Sequence, residues 1–424
     1  MIWLYLKQSF QLMREKPYLS FITILGTGLA IGLIMIYLTS HRSFGMDVAP
    51  EVNRHRTLYV KWVGVESKET GHWTGTGFLS LKTIRECFQT LELPEGIIVT
   101  SPLQPRLASI PGGNQKRSYI LFTDDVFWKF HAFHFIEGAP YTKADLDAGI
   151  PKIVLGEKLA KHLFGTTEDV VGKQTQLSYH TYTVCGIVTD ISPITALSYG
   201  HAWVPYSSTR IEASNDPEGI TGRFKCQIVA RSASDLKAVR AEVEKSVEQY
   251  NASFADSRIN LFRQPDTKYV EEMRFGAGYP NMEDKYRENV ILILLILLVP
   301  AVNLSGFTLA GMRDRMAELG VRKAFGGTRR ILFGQILAEN MLYSLIGGVV
   351  GLVLAYIAMF YMNPSVSTTF HGLDVAADTP VWVFMNVQTF LIAFLFCFLL
   401  NVLSAGIPAW IVSSRPIVES LKGE

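Results

Sequence analysis

Cysteine is scarce in this chain, four in 424 residues, which excludes a disulfide-built scaffold. Cys87, Cys185 and Cys226 share one long polar region, where at most one pair could form and one thiol would be left over; Cys397 lies in an apolar run. Catalytic signatures are missing as well: there is no G-x-S-x-G, no H-E-x-x-H and no apparent nucleophile. "GTTEDVVGKQ" (165–174) resembles a nucleotide-binding loop only in outline. Six residues separate Gly165 from Gly172, and Gln174 stands where a magnesium-binding hydroxyl belongs, so the stretch reads as a turn before a strand. His131 and His134 in "FHAFHF" have a spacing that could hold a metal on a helix, but no further ligand pattern accompanies them, and they read as a packed or partly exposed pair. A formal net charge of +2 gives no basic balance of the kind a nucleic-acid partner requires.

Charge is absent from two long runs, 17–40 and 289–312, each able to cross about 30 Å of hydrocarbon. A third run covers 340–362, and a fourth lies within the uncharged stretch 379–414, from Val387 to Val412. The first could be read as a cleaved export signal. Its apolar run exceeds the usual 7–15 residues, however, and no small-x-small cleavage pattern follows, so it reads as an anchor. Lys7, Arg14 and Lys16 precede the first run, and Arg313, Arg315, Arg322, Lys323, Arg329 and Arg330 lie between the second and third. The loop 363–386 has no Lys or Arg. Positive residues stay inside, so both termini face the cytoplasm and 41–288 lies on the other side.

That region reads as a folded α+β domain. "TLYVKW" and "GRFKCQIVAR" are strand-like, "LSLKTIRECFQTL" suggests a helix, and "PKIVLGEKLAKHLFG" a strand followed by a helix. In "SDLKAVRAEVEKSVEQY", Ser234 is a candidate N-cap, with Leu236, Val239, Val243, Val247 and Tyr250 on one face. With the strands on either side this forms a β-α-β unit packed on a sheet. "KQTQLSY" and "TYTVCGIVTD" look like paired strands in a second lobe spanning about 131–220.

Within the runs, small residues recur. Gly28 and Gly32 in the first, and Gly347, Gly348 and Gly351 in the third, allow close helix packing, within one subunit or against a partner chain. The only charged residue that comes up to a run is Glu339, at the cytoplasmic end of the third, so solute passage through the spans is not indicated. Between the second and third runs, "RMAELGVRKAF" has strong helix formers with Glu318 and Arg322 spaced as an i,i+4 pair. Gly326 and Gly327 end that helix and Thr328 can cap the next. Met316, Leu319, Val321, Ala324 and Phe325 find no core in so short a loop, which points to a docking surface for another protein. The competing reading lays these residues in the lipid interface, with the charges on headgroups.

"AELGVRKAFGGTRRIL", followed by "AENMLYSLIGGVVGLVLAY", closely resembles the cytoplasmic loop and third span of the MacB/FtsX-type ABC transporter permeases. The resemblance extends over essentially the whole chain: "MIWLYLKQSFQLMREKPYLSFITILGTGLAIG" is similar to the family's amphipathic start and first span. "FWKFHAFHFIEGAPY", "PKIVLGEKLAKHLFG" and "YTVCGIVTDI" are similar to its periplasmic core, and "GIPAWIVSSRPIVESLKGE" to its closing pattern. "AFGG" departs from the usual "ALGA" by a bulkier ring.

The resemblance implies a membrane protein, α-helical with four transmembrane helices, and an extracytoplasmic α+β domain of two lobes inserted between helices 1 and 2. The parts are a cytoplasmic amphipathic helix (1–16, with Ile2, Trp3, Leu6, Phe10 and Met13 on one face), helix 1 (17–40), the periplasmic core (41–288), helix 2 (289–312), a coupling segment (313–339), helix 3 (340–362), a short loop (363–386), helix 4 (387–412) and a tail (413–424). Glu318, Leu319, Gly320, Val321, Arg322, Lys323, Ala324, Phe325, Gly326 and Gly327 would sit on an ABC ATPase, and Glu339 would orient helix 3. The chain itself is expected to be non-catalytic and to bind no cofactor or metal; ATP and Mg belong to a separate ATPase, since the chain begins with the amphipathic segment. Partners implied are that ATPase, a second permease copy or a related permease, a periplasmic adaptor with an outer-membrane channel, and lipids of the bacterial inner membrane. Efflux of small amphiphiles or peptides leads. Lipoprotein extraction or control of a cell-wall hydrolase, and a ligand-sensing receptor, are the alternatives.

Overall fold

The structure, a computed structural model, describes residues 10, 13–15, 17–209, 219–296, 298, 328–371, 387–395, 398–399 and 402. The chain divides into two compact units, Met1–Ser43 with Asn281–Gly372 and Pro380–Glu424, and Phe44–Pro280 with Leu373–Thr379. In chain order the helices are α1 (Pro17–Gly45), α2 (Leu81–Thr83, continuing as a wide turn through Ile84–Phe88), α3 (Val126–Phe130), α4 (Lys143–Asp147), α5 (Glu157–Phe164), α6 (Leu236–Ala252), α7 (Lys268–Met273) and α8 (Arg329–His371). Residues 282–296 and 387–395 are also helical. The strands are β1 (Thr57–Val60), β2 (Val63–Ser67), β3 (Trp73–Leu79), β4 (Gly96–Thr100), β5 (Gln104–Ser109), β6 (Gln115–Thr123), β7 (Phe135–Gly138), β8 (Lys152–Gly156), β9 (Gln174–Leu177), β10 (His180–Val188), β11 (Ala202–Pro205), β12 (Thr221–Gly222), β13 (Lys225–Val229) and β14 (Ser257–Asn260).

The larger sheet runs β1-β13-β4-β6-β11-β8-β10-β9-β5, with β7 added on β10. Because β5 also pairs back onto β6, the strands β6-β11-β8-β10-β9-β5 close into a ring, which leaves them no free edge. Period-two alternation explains the unbroken apolar stretches in three ring strands, each buried on both faces. Ile120 and Phe122, Ile153 and Leu155, and Ala202 and Val204 enter one core, while the residues between them, Leu121, Val154 and Trp203, enter a second. The expected β9–β10 hairpin is present and turns through Ser178 and Tyr179, whose φ values of 45° and 75° suit a two-residue connection. The ring reaches back to residue 104, ahead of the expected lobe boundary at 131, because β5 and β6 complete it.

The smaller sheet is β12-β3-β2-β14. Here the structure corrects the β-α-β expectation: β13 belongs to the larger sheet and β14 to the smaller, so α6 links two sheets. Its apolar face is as expected, with Val239, Val243 and Tyr250 buried and Leu236 and Val247 packed against the same core. Ser234 is not the N-cap. It falls inside a 3₁₀ turn, Ala233–Asp235, where the Ser232 hydroxyl donates to Asp235 Oδ2 at 2.7 Å, and the helix starts after Asp235.

In the other unit, two described helices are long and apolar enough to cross a membrane, over Ser20–Thr39 in α1 and Met341–Met359 in α8. Both helices outrun the expected spans. α1 continues to Gly45, while α8 begins at Arg329, directly after Thr328, and takes in the start of the expected loop at 363–386. The two helices meet through glycine within one chain. A Cβ on Gly351 would stand 2.6 Å from the Gly28 carbonyl oxygen, one on Gly32 3.2 Å from that of Gly351, and one on Gly347 2.9 Å from Thr27 Cβ. Gly348 instead makes room for Phe394, whose ring would lie 2.7 Å from an added Cβ. Ser20 and Tyr343 share a hydroxyl hydrogen bond of 3.1 Å, and Ile31, Ile34, Met35, Ala355 and Ala393 form the core of the unit.

Gly351→Val should therefore cost about 1–3 kcal/mol by overpacking and visibly lower the thermal transition of the extracted protein. Gly45→Ala, where nothing lies within 4 Å, should leave it unchanged. Equal transitions in the two variants would show that the helix approach is not tight.

Candidate functional site

Among the described residues no three His, Cys, Asp or Glu side chains gather to hold a metal, and Cys87, Cys185 and Cys226 are free thiols. α3 ends at Phe130, so His131 and His134 are not on a helix. His131 is buried and stacked on Phe127, with Nδ1 2.8 Å from the Phe127 carbonyl; burial lowers its basicity. Gly165 caps α5 in the left-handed conformation, φ 76°, and the loop-like stretch after it is the turn before β9. The expected coupling residues Glu318, Leu319, Gly320, Val321, Arg322, Lys323, Ala324, Phe325, Gly326 and Gly327 lie outside the described residues. Glu339 is on α8, and its side chain is likewise outside them.

What the sequence did not single out is a pair of buried charge clusters where the chain enters and leaves the outer unit. On the entering side, Glu51 and Arg54 are 4% and 3% exposed. Arg54 Nε donates to Glu51 Oε2 at 2.7 Å, Nη1 to the Met46 carbonyl at 3.0 Å and Nη2 to the Ile194 carbonyl at 2.9 Å. Glu51 Oε1 accepts from the backbone N–H groups of Leu197 (3.1 Å) and Ser198 (2.9 Å) and from the Ser198 hydroxyl (2.9 Å). The residues just after α1 are thereby fastened to the 194–198 loop. Burial alone would raise the Glu51 pKa, but the neighbouring Arg54, with Lys268 behind it, prevails and holds it down to about 2.

On the leaving side, Asp266 exchanges backbone hydrogen bonds with Tyr59 of β1, both 2.8 Å. Its carboxylate accepts two bonds from Arg274, 2.5 Å from Nε and 2.8 Å from Nη2. Arg274 also donates to the carbonyls of Phe262 (3.1 Å) and Ala277 (2.9 Å). Gln264 Oε1 accepts from the N–H groups of Lys61 (2.7 Å) and Trp62 (3.2 Å), while its Nε2 donates to the Trp62 carbonyl at 2.7 Å. Lys268 pairs with Glu271 at 2.8 Å and Glu272 at 2.5 Å and lies 5.6 Å from the Tyr59 ring centroid. Lys61 also meets Glu271; burial first, then the charges of Lys225 and Lys268, hold Lys61 well below the ordinary lysine range. Entering and leaving segments thus form one ribbon. Buried, multiply bonded pairs add little net stability but permit only one geometry. The signals were E-x-x-R at 51–54 and K-x-x-E at 268–271, both i,i+3 spacings near the two ends of the long polar region.

Glu51→Gln strands Arg54 and should destabilise the outer unit by about 3 kcal/mol. Since the folded pKa of Glu51 lies below its unfolded value, its contribution is complete above pH 4.5 and fades as pH falls towards 2. Thermal unfolding of wild type and variant across that range should converge at the acid end; a constant gap would contradict the pairing.

Two family models match the sequence: the MacB-like periplasmic core domain over residues 20–246 and the FtsX-like permease C-terminal domain over 290–417. Among curated proteins, the chain is 27% identical over 283 residues to a "Pyoverdine export ATP-binding/permease protein PvdT" of Pseudomonas syringae pv. tomato, covering 64% of this chain and 40% of that protein. It is 22% identical over 240 residues to an "Uncharacterized ABC transporter permease YknZ" of Bacillus subtilis, 55% of each chain. The chain thus spans about half or less of the length of these relatives. The solved extracellular domain of YknZ from Gram-positive bacteria is similar at 13% identity and a TM-score of 0.36, covering 48% of this chain and 99% of that one. The chain belongs to the MacB/FtsX-type ABC transporter permeases.

Proposed function

We propose that this chain is the permease subunit through which an ABC ATPase on the cytoplasmic side moves an outer domain, and that the output is export of amphiphilic small molecules or peptides. The observation that carries the reading is the double clamp: Glu51–Arg54 fastens the entering segment to the 194–198 loop, and Asp266, held by Arg274, joins the leaving segment to β1 through Tyr59, so in this proposal a displacement of either connecting segment displaces the unit as a body. The family implies a partner ATPase. In the proposal it rests on Glu318–Gly327, with Arg322, Lys323 and Phe325 in contact, and ATP and Mg are bound there and not by this chain.

The proposed topology has spans at 17–40, 289–312, 340–362 and 387–412 in a bacterial inner membrane, both termini cytoplasmic, a two-lobed outer domain after the first span, and Glu339 orienting the third. A second copy or a related permease completes the assembly, and an adaptor with an outer-membrane channel receives the cargo. Export is favoured over lipoprotein extraction or hydrolase control by the relatives named for pyoverdine export.

Co-expressed ATPase should copurify with the full chain. Arg322→Glu or Lys323→Glu should lower transport at least ~10-fold, the loss of one charge-assisted contact, with membrane insertion intact. Unchanged association and transport in both variants would remove the docking assignment.

A further inference from the structure

A cleft of about 570 Å³ opens between the two sheets of the outer unit, and the force path just described does not use it. Its apolar surface is built first by Trp62 and Phe78, which stack with ring centroids 4.5 Å apart and 25° between planes. Pro102 and Pro105 extend it. Gly77 and Gly222 leave backbone bare; a Cβ on Gly222 would stand 2.6 Å from Ser80 Cα, so the two strands close up only around glycine.

Two guanidinium groups, Arg106 and Arg223, also line the cleft. Arg106 is oriented by Gln104, whose Oε1 accepts from Nη2 at 2.7 Å, and Arg223 is exposed. Among the described residues no carboxylate pairs with either. Lys225 adds a third cation nearby, its Nζ 5.6 Å from the Phe78 centroid. An aromatic platform beside two guanidinium groups, in a volume typical of sites for drug-sized ligands, complements one kind of molecule.

We propose that this cleft binds a small anionic amphiphile, its aromatic or acyl body on Trp62 and Phe78 and its carboxylate, sulfonate or phosphate between Arg106 and Arg223. The inference deepens the export reading, and rests on it for the ligand's role as cargo. Binding itself requires no ATPase, so the two can fail separately.

The test uses the full chain in phosphatidylcholine nanodiscs without ATPase, titrated with anilinonaphthalene sulfonate and read as fluorescence above that of empty discs. A single saturable site is expected. Arg106→Gln and Arg223→Gln should each weaken it ~10-fold, the loss of one charge-assisted contact, while the uncharged analogue phenylnaphthylamine binds wild type and variants alike. Trp62→Ala should weaken both probes; because that ring also packs on Phe78, the exposed Arg223 carries the decision. Adding phosphatidylglycerol identifies the source: displacement assigns the site to a lipid anion, and no displacement assigns it to a soluble amphiphile. No saturable signal above empty discs, or equal sulfonate affinity in wild type and both arginine variants, overturns the proposal. Retained binding alongside a failed ATPase copurification would overturn the export reading alone.

Discussion

Asp266 and Glu51 are the two carboxylates that hold the two ends of the unit Phe44–Pro280 in one geometry. Each is buried, each is met by a buried arginine, and each arginine also reaches backbone carbonyls on both sides of itself. Such pairs release little free energy on forming, since both charges first lose water, but a shifted arrangement would leave a bare charge in a dry interior. Rigidity follows from that penalty. The backbone bridge between Tyr59 and Asp266 then makes the entering and leaving segments one element.

Within the membrane unit the physical rule differs. Lipid offers apolar helices no hydrophobic reason to associate, so close approach and dispersion must hold them together. Gly28, Gly32, Gly347 and Gly351 bring α1 and α8 into backbone contact, and the Ser20–Tyr343 hydrogen bond supplements it. A tightly joined helix pair without ionised side chains at its contact is suited to moving as a unit.

Part of this was legible in the sequence. The apolar runs at Ser20–Thr39 and Met341–Met359, the amphipathic face of α6 and the β9–β10 hairpin express local rules, and the structure has them as helices, a buried face and a paired turn. The sheet membership of β13 and β14 was not legible, because a strand–helix–strand pattern reads the same whether its strands share a sheet or bridge two. Nor was the ring, whose closure depends on β5 pairing at once with β6 and with β9 some seventy residues away. The clamp was hidden for another reason. Glu51, Arg54, Asp266 and Arg274 look like ordinary surface charges in composition, and only the fold puts them out of water.

The central claim is that the two connections to the outer unit move as one rigid ribbon. Spin labels at the exposed positions Val52 and Phe275, one on each segment, measure this directly by pulsed dipolar distance in the assembled complex, with ATP bound and after its release. The same narrow distance is expected in both states. A distance that shifts or broadens on ATP binding would mean that the segments move independently, and would contradict it.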